Sequence, residues 1–305
     1  MWQQPERLQS NSTSLFEENT RNNILLLSFV VPFKDLKVLE DNLLKAFEEP
    51  HNCYEVIFVH DSASRLEEKQ IDVFLRNGLR FKYIQGEFGS PGLARNRGID
   101  EASGKWIVFW DSDDYGYPNK VYESIKNLGE SFFIGNFSVI RENGVQSPKM
   151  NLNSLKSQIS INPGIWRFAF RSEIAKKCRF NDLKLGEDLI YLMDSGVFSA
   201  NWGISNEVIY EYRISSIQST KNMNIEVNLM KFIDVFAKRM SMAKQNDEIV
   251  FSIFWRQVFS LLKISNGRKS PFCFGIVMNV FLSLSPRDKI AFIQGIKIVF
   301  RRGMI

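Results

Sequence analysis

The stretch that decides the fold reads WIVFWDSDDYGYP, from Trp106 to Pro118. Its apolar half is typical of a strand buried in a sheet, and it ends in three carboxylates, those of Asp111, Asp113 and Asp114. Carboxylates this close in sequence repel one another and are costly to remove from water, so a cation or solvent must lie beside them. The stretch therefore predicts a buried strand whose carboxyl end carries a charged site.

Apolar runs alternate with helix-like segments on both sides of this strand, from residue 24 to about residue 140. Four of these runs, ILLLSFVVPF, YEVIFVHD, RFKYIQG and SFFIGNFSVI, are predicted to be further strands. Helices are predicted between them at 35–49, up to Leu75 and at 92–102. The alternation is typical of right-handed βαβ units, and it predicts an α/β fold with a mostly parallel sheet flanked by helices.

The rest of the chain is predicted to be less regular at first and then helical. Helices are predicted at 165–177 and 187–198, and a strand at 207–213. Beyond residue 224 the pattern changes to helices rich in Phe, Ile, Met and Lys. The sequence therefore predicts three regions: a polar, loosely ordered leader (1–23), an α/β domain (24–223) and a helical C-terminal region (224–305).

Two aspartates, Asp61 and Asp111, lie at the carboxyl ends of predicted strands, the edge at which open parallel sheets bind ligands. A divalent cation is the most economical partner for the acidic cluster. Mg²⁺ and Mn²⁺ are typically held by one or two carboxylates, by water and by the phosphates of a substrate. The alternative is that the aspartates cap a helix that begins near Pro118, which accounts for one of them but hardly for all three.

Four segments carry a resemblance to a known family. FVVPFKD, VIFVHDSAS, GLARNRGIDEASGKWIVFWDSDD and GEDLIYLMD follow one another in this order. Together they resemble the family 2 glycosyltransferases, over about residues 24–219. The resemblance implies the GT-A, Rossmann-like fold and the inverting transfer of a sugar from a nucleotide-sugar donor, with a UDP-sugar favoured and Mn²⁺ or Mg²⁺ as cofactor.

The resemblance also implies the kind of acceptor. The processive synthases of the family carry Gln-x-x-Arg-Trp and transmembrane helices, and neither feature occurs in this sequence. Single additions to a glycan or a lipid-linked glycan are therefore expected, in the biosynthesis of a surface polysaccharide.

Individual residues acquire expected roles from the same resemblance. Asp113 would coordinate a metal ion on the donor diphosphate. The residues expected to border the nucleoside, to bond its base or to approach the diphosphate are Val31, Pro32, Phe33, Asp61, Arg95, Asp111 and Arg213.

The reaction also requires a base, since the acceptor hydroxyl must lose a proton on the face of the sugar opposite the leaving group. The segment LGEDLIYLMDSG offers Glu187 and Asp188 at a predicted helix start, where Gly186 permits a close approach. Asp188 is the preferred base. The alternative is that both acids only favour a helix N-terminus.

Charge and cysteine content bear on location. The net charge is +5, which is mildly basic. The three cysteines lie far apart without metal-ligand spacing, and this sparse, odd number favours a reducing, cytoplasmic compartment. The apolar run 272–284 is too short to span a bilayer. The segment 289–302 mixes isoleucines with Lys and Arg and predicts an interfacial helix on an anionic membrane; a helix packed on the catalytic domain or at a dimer contact is the alternative.

Two other functions compete with sugar transfer. A sugar nucleotidyltransferase would use related chemistry but needs a glycine-rich loop after the first strand, and VPFKDLKVLE has no glycine. A catalytically inactive GT-A-like binding module is the second alternative. Nucleic acid is not an expected partner, because no basic face with interleaved aromatic residues is apparent.

Overall fold

A computed structural model describes most of the chain between residues 25 and 301. The described residues are 25–49, 51–75, 78–141, 144–146, 159, 162–214, 224–242 and 248–301. The leader predicted at 1–23 lies outside them.

Within the described residues, nine strands form one sheet. Their bounds are Leu27–Phe33 (β1), Tyr54–Asp61 (β2), Phe81–Gly86 (β3), Trp106–Phe109 (β4), Tyr115–Gly116 (β5), Phe132–Arg141 (β6), Gly144–Gln146 (β7), Phe168–Arg171 (β8) and Trp202–Arg213 (β9). Their order across the sheet is β3-β2-β1-β4-β8-β6-β9-β5, and β7 pairs with β6.

The first four strands form a parallel half-sheet, as predicted. β1 pairs with β2 and β4, and β2 pairs with β3, all in parallel. β1 is buried on both faces, with Phe29 and Val31 in one hydrophobic cluster and Val30 in the other, which explains why it is apolar except at Ser28. The carboxyl ends of these strands therefore meet at one edge of the sheet.

The other half of the sheet is mixed, and here one prediction is wrong. The helix predicted at 165–177 is a single 3₁₀ turn, then the strand β8, then a one-turn helix at Ser172–Ala175. β8 lies antiparallel between β4 and β6, so Phe170 is level with Ile107 on one side and Phe132 on the other. Pairing with these distant strands stabilises a segment whose local pattern favours a helix.

Ten α-helices accompany the sheet within the described residues. Their bounds are Leu36–Asp41 (α1), Glu68–Leu75 (α2), Pro91–Glu101 (α3), Pro118–Ile125 (α4), Ser172–Ala175 (α5), Glu187–Asp194 (α6), Ile225–Met242 (α7), Glu248–Ile264 (α8), Ser270–Ser283 (α9) and Pro286–Arg301 (α10).

Two predicted helices are shorter than expected. The helix predicted at 35–49 is broken at Asn42, whose backbone is not helical. The side-chain amide of Asn42 donates to the Val38 carbonyl, and a 3₁₀ turn follows at Leu43–Phe47. The helix predicted at 187–198 ends at Asp194, two residues before Gly196 adopts a left-handed conformation with φ of 76°.

The C-terminal helices pack against the rest of the molecule through a continuous hydrophobic cluster. Helix α7 lies alongside α6. The ring of Phe232 lies against Gly186 at one end, and Arg239 lies 3.4 Å from Asp194 at the other. Helix α10 closes over α8, where Trp255 Nε1 donates to the carbonyl of Phe292. These contacts fix the C-terminal helices beside α6. The domain boundary predicted near residue 224 stays a prediction.

Candidate active site

A buried arginine joins the two acidic segments that the sequence singled out. Arg95 Nη2 donates to Asp111 Oδ1 at 2.5 Å, and Nη1 donates to Glu187 Oε1 at 3.1 Å. Asp111 follows β4, whereas Glu187 begins α6, so the carboxyl edge of the sheet and the start of this helix meet at one guanidinium. The structure thus brings together Arg95, Asp111, Glu187 and the adjacent Asp188.

The position of Arg95 is fixed by helix α3. Ser90 caps the helix by accepting from the Leu93 N–H, and Pro91 occupies its first turn. One turn beyond Arg95, Gly98 lies so close to β1 that an added Cβ would come within 2.3 Å of Val30 Cγ1. This close packing on the sheet holds Arg95 at the strand ends.

The Arg95 guanidinium is only 5% exposed and lies over the ring of Phe180. Burial alone would lower its pKa, but the carboxylates of Asp111 and Glu187 hold the pKa above its ordinary value. Arg95 is therefore a permanent positive charge between two negative ones.

The three aspartates of the deciding stretch lie in three different environments. Asp111 pairs with Arg95, and Asp113 is exposed to solvent. Asp114 is buried: its Oδ2 accepts from the Tyr210 hydroxyl and its Oδ1 from the Arg213 N–H, each at 2.6 Å. Asp114 therefore ties the loop after β4 to strand β9. It neither caps α4 nor faces the solvent beside Asp113.

Negative charge exceeds positive charge at this edge. Burial first, and then the charges of Asp111 and Asp113, raise the pKa of Asp114 to about 8. Desolvation by the surrounding protein and the charge of Asp111 also raise the pKa of Asp113, even though its side chain reaches solvent. A cation beside Asp113 would relieve this repulsion.

The donor set fits a particular kind of metal ion. No group of three or more potential ligands lies together in the described part of the chain. Asp111 and Asp113 offer hard oxygen donors, one of them engaged by Arg95. They suit a divalent cation that completes its shell with substrate phosphates and water.

Asp188 is half-buried at the start of α6, with Oδ1 2.9 Å from the Leu189 N–H. Burial first, and then the neighbouring charge of Glu187, raise its pKa to about 7, while Arg95 acts in the opposite direction. Gly186 precedes the helix with φ of 78°, and an added Cβ would lie 2.4 Å from the Phe232 ring. The close approach expected of this glycine is thus made to helix α7.

The predicted nucleoside residues lie at the ends of β1 and β2. Val31, Pro32 and Phe33 are buried, and Phe33 stacks on His60 at 4.7 Å between ring centroids. Asp61 Oδ1 accepts from the N–H groups of residues 88 and 89, and Oδ2 lies 3.2 Å from Lys34 Nζ. In this structure Asp61 therefore anchors the loop between β3 and α3.

These contacts also set the charge of Asp61. Burial opposes its ionisation, but the N–H groups of Gly89 and Phe88 and the charge of Lys34 together hold its pKa below the ordinary value. Asp61 is therefore an ionised carboxylate at neutral pH.

A groove of about 800 Å³ opens beside Lys34, between helices α1 and α2. Its walls include Lys37, His60 and Lys69, but none of the carboxylates that surround Arg95. The groove therefore adjoins the acidic edge without containing it.

Arg213 lies at the end of β9, apart from Arg95. Its Nη1 donates to Asn42 Oδ1 at 2.9 Å, and its guanidinium lies over the ring of Tyr115. Its backbone N–H is bound by Asp114. The structure thus connects Arg213 to the acidic loop through the main chain.

One further charged residue near the site, Arg256 on α8, could not be identified from the sequence. The pKa of the Arg256 guanidinium is lowered by burial, which has the larger effect. The negative charge of Asp188 acts in the opposite direction and raises it. Sixty-eight residues separate the two positions, so only the packing of α7 and α8 against α6 brings them together.

Among proteins of known function, the chain is similar to a UDP-Glc:alpha-D-GlcNAc-diphosphoundecaprenol beta-1,3-glucosyltransferase, WfgD of Escherichia coli. The two are 26% identical over 126 residues, which cover 39% of this chain and 49% of WfgD. The chain spans 14% to 34% of the length of four other glycosyltransferases that it matches.

Two solved structures share the fold. The S. aureus protein TarS, residues 1–349 in complex with UDP-GlcNAc, has a TM-score of 0.68 and 19% identity over 91% of this chain and 92% of that one. The mannosyltransferase PcManGT of Pyrobaculum calidifontis, in complex with GDP-Man and Mn²⁺, has a TM-score of 0.51 and 11% identity over 93% and 83% of the two chains.

The family model for glycosyl transferase family 2 matches residues 28–183, just over half of the chain. The matched residues include Asp61, Arg95, Asp111 and Asp113, and they end before Glu187 and Asp188. With the mixed sheet and flanking helices, this match shows that the chain has the GT-A fold and belongs to glycosyl transferase family 2.

Proposed function

We propose that this chain transfers a single sugar, with inversion, from a UDP-sugar to a hydroxyl of a glycan or lipid-linked glycan. The observation that carries the proposal is the cluster around Arg95. In it, Arg95 bonds Asp111, two residues before the exposed Asp113, and Glu187, which adjoins the half-buried Asp188.

The donor would bind across the carboxyl ends of β1, β2 and β4. The nucleoside would lie against the main chain of Val31, Pro32 and Phe33, whose side chains are turned into the core. The base would lie near Asp61, and the diphosphate in front of Asp111 and Asp113. The UDP-GlcNAc in the TarS complex supports uridine as the nucleoside.

The metal ion would be held by Asp113, with Asp111 beside it, and either Mn²⁺ or Mg²⁺ suits these oxygen donors. When bound, it would neutralise the charge that develops on the departing nucleoside diphosphate. Arg95 holds Asp111 in place from the protein side.

Asp188 would accept the proton of the acceptor hydroxyl. A pKa of about 7 lets the carboxylate be ionised before reaction and take up a proton at neutral pH. Glu187 is a weaker candidate for this role, because its carboxylate is already bonded to Arg95. We assign Glu187 to positioning Arg95 and Asp188 to proton transfer.

One relative supports a proposal for the acceptor and the cellular setting. The substrate named for WfgD is a diphosphoundecaprenol-linked sugar, which supports a lipid-linked acceptor and a role in surface polysaccharide assembly. Such an acceptor would place the enzyme in the cytoplasm, at the inner face of the cell membrane.

The test is release of nucleotide from a panel of UDP-Glc, UDP-GlcNAc, UDP-Gal and GDP-Man, with and without Mn²⁺. We expect Mn²⁺-dependent release from one UDP-sugar, lost in Asp188→Asn and kept in Asp182→Asn. Asp182 is an exposed acid on the loop before α6, so it is a matched control. Binding of UDP without turnover of any donor would favour the inactive binding module instead.

A further inference from the structure

The positive charge of the chain is concentrated at its C-terminal end. Residues 263–305 contain eight Lys and Arg residues and one acidic residue, Asp288, so this segment carries +7. The chain as a whole carries +5, and residues 1–262 therefore carry −2. The basic residues are Lys263, Arg268, Lys269, Arg287, Lys289, Lys297, Arg301 and Arg302.

Helices α9 and α10, which lie within this segment, also expose large apolar side chains. Phe274 and Leu282 on α9 are 69% and 67% exposed, and Ile290 and Ile293 on α10 are 62% and 48% exposed. Helix α9 contains no charged residue at all. Exposed apolar side chains beside basic residues are typical of helices that bind an interface.

The opposite sides of the two helices are docked on the protein. Cys273 and Val280 on α9 and Phe292 on α10 are buried, and the ring of Phe292 lies 5.4 Å from that of Phe251 on α8. The exposed apolar side chains therefore project from helices whose orientation is fixed by the core.

The one acidic residue of this segment is used in a helix cap, so it does not repel an anionic partner. Asp288 Oδ2 accepts from the hydroxyl of Ser285, and the Ser285 oxygen accepts from the Asp288 N–H, so the two form the cap of α10. Arg268 and Lys269 lie within 3.6 Å of Glu226 on α7, whereas Arg287 belongs to the exposed first turn of α10.

We propose that α9 and α10 dock the protein on an anionic phospholipid surface, with Phe274, Leu282, Ile290 and Ile293 entering the interface. Charge decides between this partner and a second copy of the chain. Two copies would bring two positively charged segments together, whereas anionic headgroups complement the segment. No helix among the described residues is long and apolar enough to cross a bilayer, so α9 and α10 would lie along the surface.

The test is sedimentation of the full chain with vesicles of phosphatidylcholine alone or with 30% phosphatidylglycerol. We expect about tenfold tighter binding to the anionic vesicles, weakened by 0.5 M salt. The double variant Phe274→Ser, Ile290→Ser should lose most of this binding. The matched control is Ile204→Ser, Met242→Ser, which removes two exposed apolar side chains elsewhere, and it should bind like the wild type.

Equal sedimentation with both kinds of vesicle, or none with either, would overturn the proposal. A concentration-dependent dimer that the Phe274 and Ile290 substitutions abolish, without any lipid binding, would assign the surface to a second copy. Circular dichroism of each variant shows whether it is folded. No donor or acceptor enters the assay, so failure of the proposed reaction and failure of lipid docking are separate results.

Discussion

Replacing Asp188 by Asn removes a charge, keeps the shape of the side chain and tests both its chemistry and its electrostatic environment. Burial, followed by Glu187, raises the pKa of Asp188 from its ordinary 3.8 to about 7. Between these two pH values the folded chain holds a proton that the unfolded chain has released. The stability of the wild type therefore falls as pH rises through this window, and the full cost is present above about pH 7.

The magnitude follows from this interval. At 1.36 kcal/mol per pH unit, the window from 3.8 to about 7 corresponds to about 4 kcal/mol. Asp188 keeps some contact with solvent, which screens the charge, so we expect about half of this, or about 2 kcal/mol. Asp188→Asn should raise the free energy of unfolding by about 2 kcal/mol at pH 8 and by about a third of that at pH 5.

Urea unfolding at both pH values measures this gain, and nucleotide release from the donor measures the chemistry. We expect Asp188→Asn to be more stable than the wild type and yet slower by about 10²-fold to 10⁴-fold. Asp182→Asn, at an exposed site, should change neither quantity. Turnover near the wild-type rate would refute Asp188 as the base, and a stability gain equal at pH 5 and pH 8 would refute the electrostatic argument.

Three further substitutions probe the surroundings of this residue. Gly186→Ala should lower the free energy of unfolding, measured in urea, by about 2 kcal/mol or more. The added Cβ would meet the Phe232 ring, and the backbone φ of 78° disfavours alanine. Unchanged stability would contradict this packing. Arg95→Lys should reduce donor turnover by about 10²-fold, since an ammonium cannot bond both carboxylates as the guanidinium does; full activity would exclude a fixed guanidinium as a requirement. Arg256→Gln should move the acidic limb of the pH–rate profile to higher pH, because loss of a nearby positive charge raises the pKa of Asp188; an unmoved limb would show that the two residues are not coupled.

The parallel half of the fold could be predicted from sequence because its strands are buried on both faces. β1 and β4 are apolar apart from Ser28, and polar residues begin shortly after each strand, at Lys34 and at Asp111. β8 could not be predicted in this way. Its four residues, FAFR, lie between segments with helical spacing, and partners more than thirty residues away in β6 and sixty in β4 determine its conformation.

The same distinction between local pattern and distant contacts applies to the candidate site. The positions of Asp111 and Asp113 after a buried strand, and of Asp188 at a helix start, could be predicted because each depends on local pattern. The bond from Asp114 to Tyr210 spans 96 residues, and the approach of Arg256 to Asp188 depends on the packing of two C-terminal helices. Such contacts leave no local signal in the sequence.

The proposed reaction depends on a uridine nucleotide that binds in front of Asp113 with a divalent cation. Calorimetric titration of UDP, with GDP beside it, into the wild type and Asp113→Ala tests this most directly, with and without Mn²⁺ and with Asp182→Ala as control. We expect Mn²⁺-dependent binding of UDP that Asp113→Ala loses and Asp182→Ala keeps. UDP binding that is unchanged in Asp113→Ala, or absent from the folded wild-type protein, would contradict it.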